Sequence, residues 1–151
     1  MGRFALVHPS CLQQMPVQIA RACVPYTPFK KKLEESRVAL VTTAGVYAEG
    51  MEPFTDNDLS FRMIPQGVEP ASLKVVPGHY DPASAEADIN CVFPVERLAE
   101  LLSAGKIGKI ADYHVSMGLA TALRKLKEET SWEIADKVAR MRPDVVILTG
   151  G

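Results

Sequence analysis

Two short segments of the chain are almost entirely apolar and rich in β-branched side chains. They are residues 37–43 (RVALVTT) and residues 144–148 (DVVIL). Runs of this kind lack the polar–apolar alternation of a half-exposed strand and are typical of strands buried on both faces of a parallel sheet. A buried parallel sheet needs helices over its faces, so the two segments favour the α/β class.

Helix signals lie between these two strands. Residues 94–104 carry one apolar face, and Gly105 supplies a C-terminal stop, which together predict a helix. Further along, Thr130 with Glu133 three residues later resembles a capping box. This pattern predicts that a second helix begins at Ser131.

Three weaker strand patterns complete the secondary structure, at residues 60–64, 73–76 and 107–115. The expected fold is α/β, with a mostly parallel sheet and flanking helices in a Rossmann-like three-layer arrangement. We expect an N-terminal helical segment over residues 1–25 and a single α/β domain over residues 26–151.

Composition narrows the class of function. The 151 residues include 17 basic and 18 acidic side chains, for a net charge of −1, which gives no field that would attract nucleic acid or an anionic membrane. No apolar stretch is long enough to span a bilayer, and the N-terminus lacks a signal-peptide pattern, so we expect a cytoplasmic protein. Cys11, Cys23 and Cys91 are odd in number and widely spaced, which predicts neither a disulfide framework nor a structural zinc site.

Small and polar residues follow the first buried strand. Thr42, Thr43 and Gly45 lie where ligands are usually bound in α/β proteins, beyond the carboxyl end of a strand. Hydroxyl and backbone N–H groups there suit an anion such as a carboxylate or phosphate. A strand end with a glycine-dependent turn explains the same residues equally well.

Two histidines lie near predicted strand ends and close to carboxylates. His79 precedes Asp81 by two residues, and His114 follows Asp112 by two. A histidine oriented by a carboxylate can act as an acid or base near neutral pH. The alternative is that each histidine bonds to the backbone in a turn.

Acidic and amide side chains offer two further candidate sites, each with a structural alternative. Asp88 and Asn90 could orient a ligand or cap the structure before the helix at residues 94–104. Glu52, Asp56 and Asp58 suggest a hard-cation site, although acidic residues in a loop are mostly solvated. We predict no metal site.

Longer segments carry a resemblance that no short motif provides. The chain resembles the selenoprotein B component of the glycine, sarcosine, betaine and D-proline reductases and its relatives. The similarity runs from about residue 26 to residue 151 in the family's order, through residues 35–46 (ESRVALVTTAGV), 52–54 (EPF), 58–62 (DLSFR) and 88–98 (DINCVFPVERL).

The resemblance implies reductive cleavage of the C–N bond of a small amino-acid-like substrate, within a complex of several subunits. The family's redox residue, a selenocysteine or cysteine, is expected directly after Gly151, so no catalytic residue is expected within the chain. We therefore expect the chain to be the incomplete amino-terminal part of a larger protein, cut before that residue by a UGA codon and inactive alone. Cys91 lies in a different segment and is no substitute. The candidate substrate-pocket residues are Thr42, Thr43, Gly45, His79, Asp81 and His114.

Two other interpretations stay open. The chain could be a self-contained small α/β module that binds a ligand or partner without redox chemistry, or, less favoured, a hydrolase that uses one histidine. A fragment should leave its last strand as an exposed apolar sheet edge, whereas a complete module should bury it.

Overall fold

A computed structural model describes residues 28–76, 78 and 80–150. The fold below belongs to the compact unit Lys32–Gly151. The helical segment predicted for residues 1–25, with Cys11 and Cys23, lies outside the described residues, as does His79. The predicted boundary between an N-terminal helical segment and the α/β domain, at residues 25 and 26, stays a prediction.

Seven strands and four α-helices make up the described part of the chain. The strands are β1 (Arg37–Thr42), β2 (Val46–Ala48), β3 (Phe61–Pro65), β4 (Leu73–Val75), β5 (Lys109–Ile110), β6 (Tyr113–Met117) and β7 (Val145–Thr149). The helices are α1 (Ala83–Ala87), α2 (Val95–Ser103), α3 (Leu123–Lys125) and α4 (Ser131–Arg140), with a π-helical turn at Leu126–Thr130 between α3 and α4. Single 3₁₀ turns occur at Leu33–Glu35, Pro70–Ser72 and Ile89–Cys91.

Strand β1 lies inside the main sheet and pairs in parallel on both of its sides. Val38 pairs with Ile110 and with Val145, so β5 and β7 lie on opposite sides of β1. Strand β6 continues on the β5 side, and β3 pairs antiparallel with β6 beyond it. The predicted α/β class with a mostly parallel sheet is therefore confirmed. A separate antiparallel pair, β2 with β4, forms a small second sheet.

Helices pack on both faces of the main sheet because neighbouring residues of a strand point to opposite faces. Leu40 belongs to a cluster with Phe93 and with Leu98 of α2. Val41, the next residue, packs in a second cluster with Ile134 of α4. Among the described residues, no helix has the length and apolarity needed to cross a membrane.

Local signals set the two ends of α2, which confirms the helix predicted at residues 94–104. Gly105 adopts φ +64°, and its N–H donates to the Leu102 carbonyl while the N–H of Lys106 donates to the Leu101 carbonyl. This is a Schellman C-terminus, which favours glycine at the left-handed position. At the other end, Asn90 Oδ1 accepts the N–H of Glu96 at 3.2 Å.

The predicted capping box at Thr130 is wrong. The backbone of Thr130 is itself helical (φ −57°, ψ −40°), and its side chain makes no cap hydrogen bond. Helical backbone continues from Leu123 to Arg140. The N–H groups of the first turn of α4 therefore face the carbonyl groups of a preceding helical turn and need no side-chain cap. Thr130 is buried, and its hydroxyl donates instead to the Leu59 carbonyl at 3.0 Å.

The strand predicted at residues 107–115 is placed differently. It divides into β5 and β6, and β6 continues to Met117, so Ser116 and Met117 extend the strand beyond its predicted end. Alternation of apolar residues does not reveal this extension because all of residues 114–117 are buried.

The prediction that the last strand is buried on both faces is also wrong. Val145 and Ile147 pack on the Leu40 side, but the side chains on the opposite face are exposed, 39% for Val146 and 75% for Leu148. Strand β7 is an edge of the described sheet, and the apolar cluster around α4 includes residues of β1 and β6 but none of β7. An apolar run therefore identified the strand but not its position in the sheet.

Candidate functional site

The candidate site lies at one edge of the main sheet. Because β1, β6 and β7 are parallel, their carboxyl ends, at Thr42, Met117 and Thr149, come together at this edge. The register places Ser116, Thr42 and Thr149 in one row across the three strands. The loops that follow these strands form the region where α/β proteins bind ligands.

One backbone carbonyl ties the ends of β1 and β7 together. Thr42 Oγ1 donates to the Val92 carbonyl at 3.0 Å, and Thr149 Oγ1 donates to the same oxygen at 2.6 Å. Thr42 Oγ1 also accepts the N–H of Ala44 at 3.2 Å. The hydroxyl of Thr42 is buried and fully engaged, so in this structure it holds the loop after β1 in place.

Thr43, in contrast, is exposed and lies next to the chain that leaves β7. Its N–H donates to the Thr149 carbonyl at 3.1 Å. A Cβ atom built on Gly150 would lie 3.7 Å from Thr43 Oγ1. Of the three predicted residues at the end of β1, Thr43 presents its hydroxyl closest to the end of the described chain.

Gly45 makes a turn that requires glycine. It has φ +70°, its N–H donates to the Met117 carbonyl at 2.9 Å, and its carbonyl accepts the N–H of Val76 at 3.0 Å. A Cβ atom at Gly45 would lie 2.5 Å from the Val76 carbonyl oxygen. The backbone N–H of Gly45 is thus used within the fold and is not available to an anion.

A small cavity opens beside this turn. It has a volume of about 190 Å³, and its walls include Phe54, Asn57, Val76, Gly118 and Leu119. Gly118 directly follows β6, and a Cβ atom there would lie 3.1 Å from the Phe54 ring. The close approach of the Phe54 ring to this backbone shapes one wall of the cavity.

Arg62 holds the loop that carries Phe54. Its Nε donates to the Glu52 carbonyl at 2.8 Å, and its Nη2 lies 3.2 Å from Asp58 Oδ2. The guanidinium stacks over the Phe54 ring, 4.4 Å from the centroid, which is a cation–π contact. One guanidinium therefore joins segments 52–54 and 58–62, two of the segments that carry the family resemblance.

The acidic residues of this loop do not form a cation site. Asp58 Oδ1 accepts the N–H of Ser60 at 2.7 Å, and its other oxygen faces Arg62. Burial raises the pKa of Asp58, but the hydrogen bonds from Ser60 and the charge of Arg62 outweigh burial and hold the pKa below its ordinary value of 3.8. Within the part of the chain that the structure describes, no three His, Cys, Asp or Glu side chains are grouped to hold a metal ion.

His114 lies away from this edge, at the second residue of β6. It is 2% exposed, its ring meets the edge of Phe93 at a centroid distance of 5.7 Å, and burial lowers its pKa to about 4. Its Nδ1 has no hydrogen-bond partner among the described residues, and neither does the buried Oγ of Ser116. Asp112, the carboxylate predicted to orient His114, is exposed and is not its partner.

Asp81 and Asn90 have structural roles. Asp81 is exposed, and its Oδ1 accepts the N–H of Ala83 at the start of α1 at 3.0 Å. Asp88 Oδ1 accepts the N–H of Asn90, and Asn90 Oδ1 accepts the N–H of Glu96. Of the two interpretations of Asp88 and Asn90, these contacts agree with capping of the structure before helix α2. Among the described candidate pocket residues, Thr43 and the turn at Gly45 therefore lie at the carboxyl edge, whereas His114 is buried away from it.

Sequence reasoning missed Tyr80 and Ser116. The hydroxyl of Tyr80 donates to the Ala44 carbonyl at 2.9 Å and so links the loop after β4 to the loop after β1. Burial, followed by the charge of Glu86, raises the pKa of Tyr80. No local signal identifies either residue. The contact of Tyr80 joins positions far apart in the chain, and Ser116 lies beyond the predicted end of its strand.

The comparisons with known proteins identify the family. Residues 13–151 match the family described as glycine/sarcosine/betaine reductase selenoprotein B, so the chain belongs to that family. Among its relatives is the D-proline reductase subunit gamma of Acetoanaerobium sticklandii, 37% identical over 128 residues, which are 83% of this chain and 53% of that protein. The glycine reductase complex component B subunit gamma of Symbiobacterium thermophilum is 29% identical over 133 residues, 83% of this chain and 31% of that protein.

The corresponding subunit of Carboxydothermus hydrogenoformans is also 29% identical, and 30% of its length is covered. The chain therefore spans between about a third and about a half of the length of these relatives. No solved structure matches this chain.

The turn at Gly45 gives a first prediction. We expect Gly45→Ala to lower the free energy of unfolding by about 2 to 4 kcal/mol, because left-handed backbone strain adds to a clash with the Val76 carbonyl. The matched control is Gly50→Ala, at φ +86° with open space around the new Cβ, which should cost only about 1 kcal/mol. Denaturant unfolding of both variants measures the difference. Equal losses would contradict the close approach at Gly45.

The Asp58–Arg62 contact gives a second prediction. Since the folded-state pKa of Asp58 is lowered, its stabilisation is present above the unfolded pKa and is lost as pH falls through the folded pKa. We expect Asp58→Asn to lower the free energy of unfolding at pH 7 by about 1 kcal/mol, and the gap from the unaltered protein to shrink below about pH 4.

The control for that experiment is Asp56→Asn, at an exposed position in the same loop. This variant should differ little from the unaltered protein at either pH. A loss for Asp58→Asn that stays constant from pH 7 to about pH 3 would contradict the assigned charge interaction.

Proposed function

We propose that this chain is the amino-terminal part of a reductase component B-type subunit and that its redox residue, a selenocysteine or cysteine, directly follows Gly151. In the assembled subunit this residue reductively cleaves the C–N bond of a small amino-acid-like substrate. The observation that carries the proposal is the family match over residues 13–151, which includes strand β7 at the carboxyl edge of the sheet.

The chemistry follows from an ionised chalcogen. A selenolate or low-pKa thiolate donates an electron pair to the carbon that bears the amine, and the C–N electron pair leaves with the amine, which takes up a proton. The carbon stays bonded to the chalcogen until two thiols of a partner subunit supply two electrons and become a disulfide. The carbon then takes up a proton and leaves as the reduced product, and the chalcogen returns to its ionised form. The family's other subunits would activate the substrate and supply that reductant.

The geometry at the carboxyl edge supports this role. Thr149 is held through its hydroxyl to Val92 and through its carbonyl to the N–H of Thr43. The residues after Gly150 would therefore start from a fixed point beside Thr43 and the turn at Gly45. Thr42, Asp81, His79 and His114 stay proposed pocket residues of the complete subunit, and Thr43 is the one best located to meet a substrate.

The exposed face of β7 supports a larger subunit over the self-contained module. Leu148 is 75% exposed on an unpaired sheet edge, which proteins normally cover or protect. The relatives are two to three times as long as the matched part, so they have chain with which to cover such an edge. We propose that the 151 residues alone are inactive, that the complete subunit works with other subunits of a reductase complex, and that it is cytoplasmic.

The nucleotide sequence after codon 151 gives the first test of this function. We expect TGA or a cysteine codon there, followed by an open reading frame. A TAA or TAG codon would contradict the proposal.

A biochemical test compares the extended frame, carrying cysteine after Gly151, with the 151-residue chain in the presence of the partner subunits. Only the extended protein should release amine from substrate, and alkylation of its thiols should abolish that release. The matched control is Cys91→Ser in the extended protein, because Cys91 is an exposed free cysteine outside the proposed chemistry and its loss should leave turnover unchanged. Turnover by the 151-residue chain alone, or loss of turnover in the Cys91→Ser variant, would overturn the assignment.

A further inference from the structure

Strand β7 has one open side in the described sheet. It pairs with β1 along one side over Val145–Thr149, and no described strand pairs with the other side. Its sequence is VVILT, without the charged residue or proline that protects many natural sheet edges. An apolar edge of this kind is normally covered in a complete protein, because it would otherwise pair with other chains.

The backbone of β7 divides into two sets of amides. The Thr149 carbonyl faces β1, since it accepts the N–H of Thr43 at 3.1 Å. Backbone groups of neighbouring strand residues point to opposite sides of the strand. Val145 and Ile147 therefore also face β1, whereas the N–H and C=O groups of Val146 and Leu148 face the open edge.

The side chains of β7 are exposed on one face of the sheet only. Leu148 pairs with Val41, so Leu148 and Val146 lie on the Val41 face, where they are 75% and 39% exposed. Val145 and Ile147 lie on the opposite face and pack against the cluster that contains Leu40. Helix α4 covers the Val41 face at β1 and β6 but does not reach β7.

The hand of the existing connections determines which face a further connection uses. The chain from β1 to β5 moves in one direction across the sheet and places α2 on the Leu40 face. The chain from β6 to β7 moves in the other direction and places α4 on the Val41 face. Opposite directions on opposite faces have one hand, and parallel connections are right-handed. A connection from β7 to a strand beyond it continues the second direction, so its helix belongs on the Val41 face.

We propose that the open side of β7 binds the segment that directly follows Gly151 in the complete subunit. This segment forms a right-handed crossover, with a helix over Val146 and Leu148 beside α4 and a strand that pairs in parallel with β7. The face that the hand of the connections assigns to this helix is the face on which β7 is exposed. The proposed redox residue then lies where the crossover begins, at the carboxyl edge beside Thr43.

The relatives have enough chain for such a segment. The 128 matched residues are 53% of the D-proline reductase subunit gamma, so the rest of that protein is nearly as long as the match. A crossover between parallel strands needs about a dozen residues or more. The crossover rests on the proposed function, which supplies a chain beyond Gly151.

Amide hydrogen exchange in the extended protein tests the strand. Serine in place of the redox residue makes the measurement independent of activity. The amides of Val146 and Leu148 should exchange at rates within about tenfold of those of Val145 and Ile147, and about 100-fold more slowly than in the 151-residue chain. If Val146 and Leu148 still exchange about 100-fold faster than Val145 and Ile147 in the extended protein, the proposal is overturned.

The same measurement separates the other occupants of this edge. Protection of Val146 and Leu148 that increases with protein concentration would identify a second copy of the chain. Protection that appears only after the partner subunits are added would identify one of those subunits. Either result would overturn the proposal, which requires protection in the isolated, monomeric extended protein.

A pair of variants tests the helix. The thermal midpoint should fall by about 5 to 10 °C more for Leu148→Ser in the extended protein than in the 151-residue chain, because the side chain is buried only in the former. The matched control is Leu101→Ser, a 41% exposed leucine of α2 on the Leu40 side of the sheet, whose loss should be the same at both lengths. Equal losses for Leu148→Ser at both lengths would contradict a helix over this face.

Failure of the crossover and failure of the proposed function have different signatures. Rapid exchange of Val146 and Leu148 in an extended protein that releases amine would overturn the crossover alone. Slow exchange in an extended protein whose cysteine form releases no amine would overturn the function alone. A reading frame that ends at codon 151 would overturn both.

Discussion

The parallel pairing of β1 on both of its sides is the interaction on which the rest of the structure depends. Five consecutive residues, Val38 to Thr42, pair with β7, while the two ends of β1 pair with β5 and β6. This arrangement brings three carboxyl strand ends to one edge. The contacts at that edge, from the Val92 carbonyl to the turn at Gly45, depend on this pairing.

The segments that resemble the reductase family make contacts that hold the fold together. Segments 52–54 and 58–62 are joined by the contacts of Arg62 with Glu52, Asp58 and the Phe54 ring. In segment 88–98, Asn90 caps helix α2, and the Val92 carbonyl binds two threonines. These residues build the walls around the carboxyl edge, so the segments that carry the resemblance also hold this part of the fold together.

Local patterns predicted the parts of the fold that local interactions determine. Strand β1 and helix α2 were identified because β-branched runs and the glycine at residue 105 act within a few residues. The β2–β4 pair, the buried Thr130 hydroxyl and the exposure of Leu148 depend on partners distant in sequence. Spacing located Thr43 and Gly45 correctly at a strand end. It could not show that His114 lies apart from them, because the burial of His114 near Phe93 and α2 depends on contacts between distant parts of the chain.

Amide hydrogen exchange of the 151-residue chain tests the central role of β1 most directly. Amides of Ala39 to Thr42 should exchange most slowly, near the limit set by global unfolding, because they lie between two paired strands. Amides of β7, at the sheet edge, should exchange faster, and those of loop residues 52–58 faster still. Exchange of β1 as rapid as that of the loop, or slower exchange in β7 than in β1, would contradict the account.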